Sequence, residues 1–146
     1  MTSPVTGKVK PLSEVEDAVF STNTMGEGVA IFPEDDFVVS PVEGTISCLF
    51  QTKHAIGITT NQGVEVLIHI GIDTVRLDEG YFESYVNLGD HVHQNDKLIH
   101  FDRKGIEKEG LHSDVMLIIT NSEQFQYVNV VAKDDITCGT PLLKVK

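Results

Sequence analysis

The sequence has little positive charge and no long apolar run, and each shortage excludes a class of function. It contains 11 lysine and arginine residues against 22 aspartate and glutamate residues, which gives a formal net charge of −11 at pH 7. Nucleic acids and anionic lipid surfaces need a basic face, so neither is an expected partner. No apolar stretch approaches the roughly 20 residues that span a bilayer, and the first residues lack the pattern of a signal peptide. We therefore expect a cytoplasmic protein without membrane insertion.

Cysteine is also scarce, since the chain has only Cys48 and Cys138. Two isolated cysteines make neither a disulfide framework nor a zinc knuckle. Because each lies among apolar residues of a predicted strand, we expect both to be reduced core residues. At 146 residues the chain can bury a core without covalent cross-links, and we expect a single domain over residues 1–146.

Short strand-and-turn units recur along the sequence. Ser3-Pro4-Val5-Thr6-Gly7 returns as Ser40-Pro41-Val42-Glu43-Gly44, and a fainter repeat relates residues 91–99 to residues 135–143. Each unit has Pro or Gly at the corner and β-branched residues after it. This repetition predicts an all-β fold, a compact antiparallel β-sandwich or barrel with an internal pseudo-repeat and at most short helical turns.

Two segments interrupt the strand pattern, and one stretch is continuously apolar. Residues 12–20 are too short and irregular for a regular helix and predict a loop with at most one helical turn. Residues 106–109, which precede Gly110, predict a single-turn helix. Residues 115–120 are typical of a strand that is buried on both faces.

Residues 52–75 carry one histidine on each of two β-branched runs that a short polar turn joins, which predicts a β-hairpin. If Asn61-Gln62 is a two-residue turn, His54 lies directly opposite His69, and the two imidazoles could share one small anion or one metal ion. A left-handed bulge at Gly63 would shift the pairing by one residue and place the two histidines on opposite faces of the hairpin. The pairing of apolar residues across the two strands favours this shifted register. Periodicity alone leaves both registers open.

The histidines also allow a metal site. His69 is followed by Asp73, and His91 and His93 face the same side of a predicted strand because side chains alternate. His69, Asp73 and the later histidines would make a three-ligand zinc set with an open position for water. This pattern resembles the His-x-Gly-x-Asp and His-x-His motifs of the lysostaphin-type zinc endopeptidases, so a metallopeptidase-like site is one alternative.

Phosphoryl transfer through an imidazole is another interpretation of the same residues. A neutral histidine, whose unperturbed pKa is about 6.5, can attack phosphorus at one ring nitrogen. A second imidazole nearby would donate hydrogen bonds to the phosphoryl oxygens as charge develops. Thr52 lies two residues before His54, and so on the same face of a strand, where its hydroxyl could orient that ring.

A known family shares the motifs around these histidines. The two runs concerned are Thr52-x-His54-Ala55-Ile56-Gly57-Ile58 and Gly63-Val64-Glu65-Val66-Leu67-Ile68-His69-Ile70-Gly71-Ile72-Asp73-Thr74-Val75. They resemble the enzyme IIA component, glucose type, of the bacterial phosphoenolpyruvate-dependent sugar phosphotransferase system. Further segments that match in order and spacing are Ser3-Pro4-Val5-x-Gly7, Asp17-Ala18-Val19-Phe20, Gly26-Glu27-Gly28-Val29-Ala30-Ile31, Pro41-Val42-Glu43-Gly44-Thr45-Ile46 and Ile119-Thr120-Asn121.

The resemblance implies a phosphotransferase that acts as a phosphocarrier during sugar uptake. His69 would accept a phosphoryl group at Nε2 from the phosphocarrier HPr and hand it to a cysteine of an enzyme IIB domain. His54 matches the partner histidine that stabilises this group, and Thr52 matches the hydroxyl that supports it. The resemblance implies no cofactor, although a zinc ion could be held weakly between His54 and His69 when a partner supplies a further ligand.

The resemblance also implies a docking surface for HPr and the enzyme IIB domain, in which an apolar ring surrounds an acidic centre. The residues expected in it are Asp17, Val19, Phe20, Phe50, Leu67, Gly71, Asp73 and Val75. An exposed apolar ring is typical of a transient interface, and an acidic chain suits a basic partner face. A protein that only regulates other proteins by docking through this surface is the remaining alternative.

Overall fold

Short antiparallel strands are the main regular secondary structure of the described residues. The computed structural model describes residues 1–77 and 79–146. The strands in these residues are β1 (Gly7–Pro11), β2 (Glu27–Pro33), β3 (Phe37–Val39), β4 (Gly44–Leu49), β5 (Ala55–Thr59), β6 (Glu65–Ile70), β7 (Phe82–Ser84), β8 (His91–Val92), β9 (Lys97–Phe101), β10 (Val115–Ile119), β11 (Val128–Val130), β12 (Asp135–Ile136) and β13 (Leu143–Val145). The helices are α1 (Ala18–Ser21) and α2 (Arg103–Lys108), and 3₁₀ turns lie at Leu12–Glu14, Thr74–Arg76, Glu79–Tyr81 and Ser122–Gln124. The predicted all-β class is confirmed.

Eight of the described strands form one large sheet in the order β12-β1-β2-β10-β6-β5-β4-β8. A three-stranded sheet in the order β3-β9-β7 and the pair β11-β13 accompany it. Side chains from the large sheet and from the three-stranded sheet meet in one apolar core, which is the arrangement of a sandwich. Among the described residues, neither helix could span a membrane, since the longer one has 6 residues.

The internal pseudo-repeat predicted from the sequence is present in the structure. The buried Ser3 donates a side-chain hydrogen bond to the carbonyl of Val5 at 2.7 Å. Its counterpart Ser40 is also buried and donates to the carbonyl of Val42 at 2.6 Å. The two sequence repeats therefore build the same serine-closed turn, and each turn leads into a strand of the large sheet.

The repeated units also end the large sheet in the same way. At one end Gly7 of β1 lies opposite Ile136 of β12. At the other end Gly44 of β4 lies opposite Val92 of β8. A Cβ would lie 2.0 Å from a carbonyl oxygen of the next strand at Gly7 and 2.5 Å from one at Gly44, so the close strand approach requires glycine at both positions.

The central strand β10 is buried on both faces, as its apolar run predicted. Val115, Leu117 and Ile119 lie in the main core. Met116 and Ile118 face a second apolar cluster on the other side of the sheet. The members of this second cluster are Leu12, Val15, Phe20, Ala30, Ala55, Leu67, Ile72, Met116 and Ile118. Because the segment that contains α1 contributes to this cluster, it covers the sheet beside the histidine of β6.

The predicted helical segments are helical, but α2 begins earlier than the sequence suggested. The side chain of Asp102 accepts a hydrogen bond from the amide of Gly105 at 3.0 Å and caps the helix there. Gly110 follows the helix with a φ of +80°, the left-handed conformation that commonly terminates helices. Residues 12–20 contain a 3₁₀ turn and most of α1.

The prediction that both cysteines lie in the core is wrong, although both are free. Cys48 is exposed because the pairing of β4 with β5 shifts register between Ile46 and Cys48, which interrupts the inward–outward alternation. Cys138 is half-buried in the turn after β12, where its amide donates to the hydroxyl of Thr6 at 2.9 Å.

Candidate functional site

The strands β5 and β6 pair in the register that a bulge at Gly63 predicts. Ala55 lies opposite His69, and Gly63 has a φ of +84°. The expectation that this register separates the two histidines is nevertheless wrong. His54 lies one residue before β5, and the left-handed conformation of Lys53, with a φ of +64°, turns the chain there. The alternation of a regular strand therefore does not determine the direction of the His54 side chain.

The two imidazole rings meet outside the second apolar cluster. The ring centroids of His54 and His69 lie 5.0 Å apart with an interplanar angle of 77°. The amide of Ile70 donates to the carbonyl of His54 at 2.7 Å, so the backbone also ties the two segments together. Taken over the whole residue, His54 is buried and His69 is half-buried.

The turn after His69 fixes the orientation of its ring. Nδ1 of His69 lies 2.8 Å from the carbonyl oxygen of Gly71. Because a carbonyl oxygen only accepts hydrogen bonds, Nδ1 carries the proton and Nε2 keeps a free lone pair. Gly71 has a φ of +78°, and a Cβ there would lie 2.3 Å from Cγ2 of Thr74. Glycine is therefore required for the carbonyl to reach the ring.

The ring of His54 is oriented by a hydroxyl and two aromatic neighbours. The Thr52 side chain hydrogen-bonds Nδ1 of His54. Phe50 and Phe82 pack against the ring with centroid distances of 5.2 and 6.5 Å. When the hydroxyl donates to Nδ1, the proton of the neutral ring resides on Nε2. The site can then present a lone pair from one ring and an N–H donor from the other.

Both rings are held in their neutral form at pH 7. Burial lowers the pKa of His69 to about 4, and the proximity of His54 acts in the same direction. The hydrogen bond to Gly71 and the carboxylates of Asp17 and Asp73 raise the pKa of His69, but by less. Burial also lowers the pKa of His54 from its usual value. Neutral imidazole is the form that can act as a nucleophile.

The two carboxylates that act on His69 come from separate turns. Asp17 caps α1, where its side chain accepts a hydrogen bond from the amide of Val19 at 2.9 Å. Asp73 is exposed and precedes a 3₁₀ turn in the left-handed conformation, with a φ of +60°. The surroundings of the neutral imidazole pair are therefore negative.

The apolar residues expected around the site divide into an exposed and a buried group. Val19, Phe50 and Val75 are exposed. Phe20 and Leu67 are buried, and the ring of Phe20 lies 4.9 Å from that of His69, measured between centroids. Phe20 therefore forms a wall of the site, whereas the three exposed residues remain available for contact with another molecule.

Two contributors to the site were not predicted from the sequence. Phe82 packs against His54, yet it lies in β7 and no motif connects it with the histidines. Thr74 is buried, and its hydroxyl donates to the carbonyl of Ile70 and holds the turn after His69. The sequence did carry a signal for Thr74, because a hydroxyl side chain just after a tight turn commonly bonds the nearby backbone.

The residues of the zinc-peptidase alternative lie far apart. In the large sheet β8 lies three strands from β6, which is about 14 Å at the usual strand spacing. Across these strands His91 lies opposite Thr45, and Thr45 lies opposite Thr59. In this register His91 is also level with the start of β6, about 13 Å along the strand from His69. Among the described residues, the group of potential ligands that contains His91 and His93 includes Glu43 rather than His69 or Asp73, so the zinc-peptidase alternative is not favoured.

The fold and the paired imidazoles define an all-β protein with a two-histidine site, and comparison with known proteins gives the family. Residues 1–125 match the family described as phosphoenolpyruvate-dependent sugar phosphotransferase system, EIIA 1. The chain belongs to this family, as the motifs around the histidines predicted. It is thus a component of a sugar phosphotransferase system.

Individual relatives agree with this assignment. The chain is 42% identical over 137 residues to a glucose-specific EIIA component of Oceanobacillus iheyensis, covering 94% of this chain and 83% of that protein. It is 49% identical over 125 residues to a β-glucoside-specific EIIBCA component of Bacillus subtilis, covering 86% of this chain and 20% of that protein. The chain spans about a fifth of the length of this and two further β-glucoside-specific relatives.

A solved structure has the same fold. The glucose permease IIA from Mycoplasma capricolum is 36% identical and superimposes with a TM-score of 0.89, covering 97% of this chain and 92% of that one. These relatives are named as components of sugar phosphotransferase systems or of a glucose permease, which does not favour a purely regulatory docking protein.

Proposed function

We propose that this protein carries a phosphoryl group on Nε2 of His69, accepts it from the phosphocarrier HPr and passes it to a cysteine of an enzyme IIB domain. The observation that carries the proposal is the convergence of two imidazole rings at 5.0 Å, with Nδ1 of His69 bound to the carbonyl of Gly71. Relatives whose names combine EIIB and EIIA in one component support enzyme IIB as the acceptor. On this proposal the chain acts in the cytoplasm as one domain without a cofactor.

The acceptance step uses the lone pair of His69. Because the carbonyl of Gly71 holds the proton on Nδ1, Nε2 attacks phosphorus while the bond from phosphorus to the donor breaks. Burial lowers the pKa of His69 to about 4, so almost no molecule needs to lose a proton before the attack at pH 7. The product is a phosphoramidate, in which the group keeps a high transfer potential.

His54 stabilises the transferred group. With Nδ1 bound to the hydroxyl of Thr52, its Nε2–H donates a hydrogen bond to a phosphoryl oxygen as negative charge develops. The packing of Phe50 against this ring limits its rotation, so the donor does not need to be reoriented during transfer. Thr52 is a positioning residue, since it acts through His54.

The carboxylates favour onward transfer. A phosphoryl group adds close to two negative charges at pH 7, and it would lie near Asp17 and Asp73, which already act on His69 electrostatically. Repulsion between these charges destabilises the phosphorylated state relative to transfer. A carrier needs this balance, because a phosphohistidine that is too stable would not release its group.

The exposed apolar residues form the docking surface on this proposal. Val19, Phe50 and Val75 are exposed beside a site that must meet two different proteins in turn. Phe50 also lines a groove of about 370 Å³ together with the buried Leu67, which offers a concave seat for a partner side chain. Gly71 serves the surface through its backbone, whose left-handed turn leads into Asp73.

The proposal is tested by phosphorylation with phosphoenolpyruvate, enzyme I and HPr. The wild-type protein should take up one acid-labile phosphate, and His69→Ala should take up none. His54→Ala should still accept phosphate but should pass it to an enzyme IIB domain roughly 10²–10³ times more slowly, the usual loss for one oxyanion donor.

His93→Ala is the matched control, since this exposed histidine lies beyond the edge strand β8. It should accept and transfer phosphate at the wild-type rate. Labelling of His69→Ala to the wild-type level would refute the acceptor assignment, and equal onward transfer by His54→Ala would remove that residue from the mechanism.

A further inference from the structure

We propose that Glu43, His91 and His93 bind a divalent transition-metal ion at the edge of the large sheet, separate from the paired imidazoles of His54 and His69. Among residues 1–77 and 79–146, they are the group of three potential ligands whose donor atoms all lie within 4.8 Å of one another. This inference does not depend on the proposed phosphocarrier function.

Strand pairing places the three side chains on one face. Val92 is buried in the core between the two histidines, so His91 and His93 both point outward. Gly44, the first residue of β4, lies opposite Val92, so Glu43 immediately before β4 lies near the level of His93 immediately after β8. Oε2 of Glu43 lies 2.9 Å from Nε2 of His91, and the centroids of the two imidazole rings are 5.4 Å apart.

The backbone that carries these side chains is already fixed. The amide of His93 donates to Oδ2 of Asp96 at 2.8 Å, and the amide of Asp96 donates to the carbonyl of His93 at 3.1 Å. The amide of Asn95 donates to the carbonyl of Ser40 at 2.8 Å, which joins this turn to the segment before Glu43. Closure around an ion therefore needs only rotation of exposed side chains, so little backbone entropy is lost.

The internal repeat provides a comparison within the same chain. The positions that correspond to Glu43, His91 and His93 are Thr6, Asp135 and Thr137. Their strands pair in the same register, with Gly7 opposite Ile136 as Gly44 is opposite Val92. The turn thus forms without imidazole or glutamate side chains, and the fold does not explain why three potential ligands converge at one end of the sheet.

The donor set indicates the class of ion. Two imidazole nitrogens and one carboxylate oxygen suit Zn²⁺, Cu²⁺ or Ni²⁺, whereas Mg²⁺ and Ca²⁺ prefer oxygen ligands alone. Bonds of about 2.0–2.2 Å in a tetrahedral site place ligand atoms roughly 3.4 Å from one another. Because the donor atoms now lie within 4.8 Å of one another, no pair has to approach by more than about 1.4 Å. Three protein ligands leave one position for water or for a group from another molecule. Asp96, whose Oδ2 lies 3.9 Å from Nδ1 of His93, adds negative charge nearby.

The test is a calorimetric titration of the metal-free full chain with Zn²⁺ in a His69→Gln background, which removes the paired imidazoles as a competing site. One zinc ion should bind. Replacement by the residues of the other repeat, His93→Thr or Glu43→Thr, should weaken this binding at least about tenfold, since loss of even a supporting neighbour of a ligand costs that much. His112→Gln is the matched control, because His112 also pairs with a glutamate, Glu16 at 3.0 Å, without a second imidazole. It should bind zinc as the parent does.

Two readouts keep the result decisive. Co²⁺ in place of Zn²⁺ should give the visible absorption of a tetrahedral nitrogen and oxygen site in the His69→Gln parent and lose it in the His93→Thr variant. His93→Thr should unfold in urea at nearly the same midpoint as its His69→Gln parent in the absence of metal, which demonstrates an intact fold. The proposal is overturned if the parent binds no zinc, or if His93→Thr and Glu43→Thr bind it as tightly as the parent.

Discussion

The carbonyl oxygen of His54 accepts a hydrogen bond of 2.7 Å from the amide of Ile70, the residue that follows His69. This bond joins the residue before β5 to the strand that carries the second imidazole. The distance between the two rings is therefore set by the backbone of the hairpin as well as by side-chain packing. We therefore expect the pair to stay in place when a single support of either ring is removed by mutation.

Thr52→Val is expected to slow onward phosphoryl transfer by roughly 10- to 100-fold, the usual effect of losing a partner that orients a functional imidazole. Valine keeps the shape of threonine but cannot hydrogen-bond Nδ1 of His54. The rates are measured with purified HPr and an enzyme IIB domain. Thr140→Val is the control, because the Thr140 hydroxyl donates to the carbonyl of Thr137 at 2.7 Å in the turn after β12, outside the proposed docking surface. Equal rates for the two variants would contradict the role of Thr52.

Stability is expected to fall as pH decreases from about 6.5 to about 4, because burial lowers the pKa of His69 to about 4 in the folded protein. Between these values the unfolded state binds a proton that the folded state does not, so protons favour unfolding. Above pH 6.5 neither state is protonated and this contribution disappears. The free energy of unfolding should fall by about 3 kcal/mol at most over this pH range.

Urea unfolding of the wild type and of His69→Gln at about pH 7.5, 5.5 and 4.5 measures this dependence. The wild type should lose stability relative to the variant as the pH falls through this range. Parallel curves for the two proteins would mean that the imidazole of His69 is not held neutral by burial.

Gly71→Ala is expected to destabilise the protein by at least about 2 kcal/mol, since a left-handed alanine costs about 1–2 kcal/mol and overpacking adds about 1–3 kcal/mol. The added Cβ would lie 2.3 Å from Cγ2 of Thr74. Gly63→Ala is the matched control, because Gly63 also has a positive φ but its Cβ would meet nothing within 4 Å. Gly63→Ala should lower the free energy of unfolding only by the cost of the left-handed conformation. Urea unfolding at neutral pH measures both, and equal losses would show that the turn after His69 relaxes freely.

Val75→Asn is expected to raise the KM for phosphorylated HPr about fivefold or more, which corresponds to about 1 kcal/mol at an interface. The turnover number and the unfolding free energy should change little, because Val75 is 56% exposed. Val131→Asn is the control, since Val131 is 53% exposed after β11 and outside the proposed docking surface. An unchanged KM for Val75→Asn would exclude this residue from the interface with HPr.

Apolar pairing predicted the register of the β5–β6 hairpin but not the meeting of its histidines. The register follows from a property of the whole strand, because one face must be buried. The convergence depends on a single left-handed residue, Lys53, and lysine gives no signal for that conformation. The family motifs nevertheless indicated that His54 and His69 form a pair, because a motif is tied to a known arrangement of side chains and strand periodicity is not.

Features that depend on distant parts of the chain could not be predicted. The contact of Phe82 with His54 exists only once β7 has joined the three-stranded sheet. The exposure of Cys48 follows from a bulge in β4, which its apolar surroundings concealed. In contrast, the repeated Ser-Pro-Val units could be recognised in the sequence, and they form matching turns in the structure. This was predictable because the hydrogen bonds of each turn connect residues only two positions apart.

The large sheet ends on β8 and β12, and each of these strands is two residues long. A long unpaired strand at the edge of a sheet can pair with a strand of another chain. A very short edge strand offers too few backbone hydrogen-bonding groups for such pairing. The same repeated unit forms both short edge strands, so both edges of the large sheet resist the addition of another chain. The protein thereby lowers its risk of fibrous self-association.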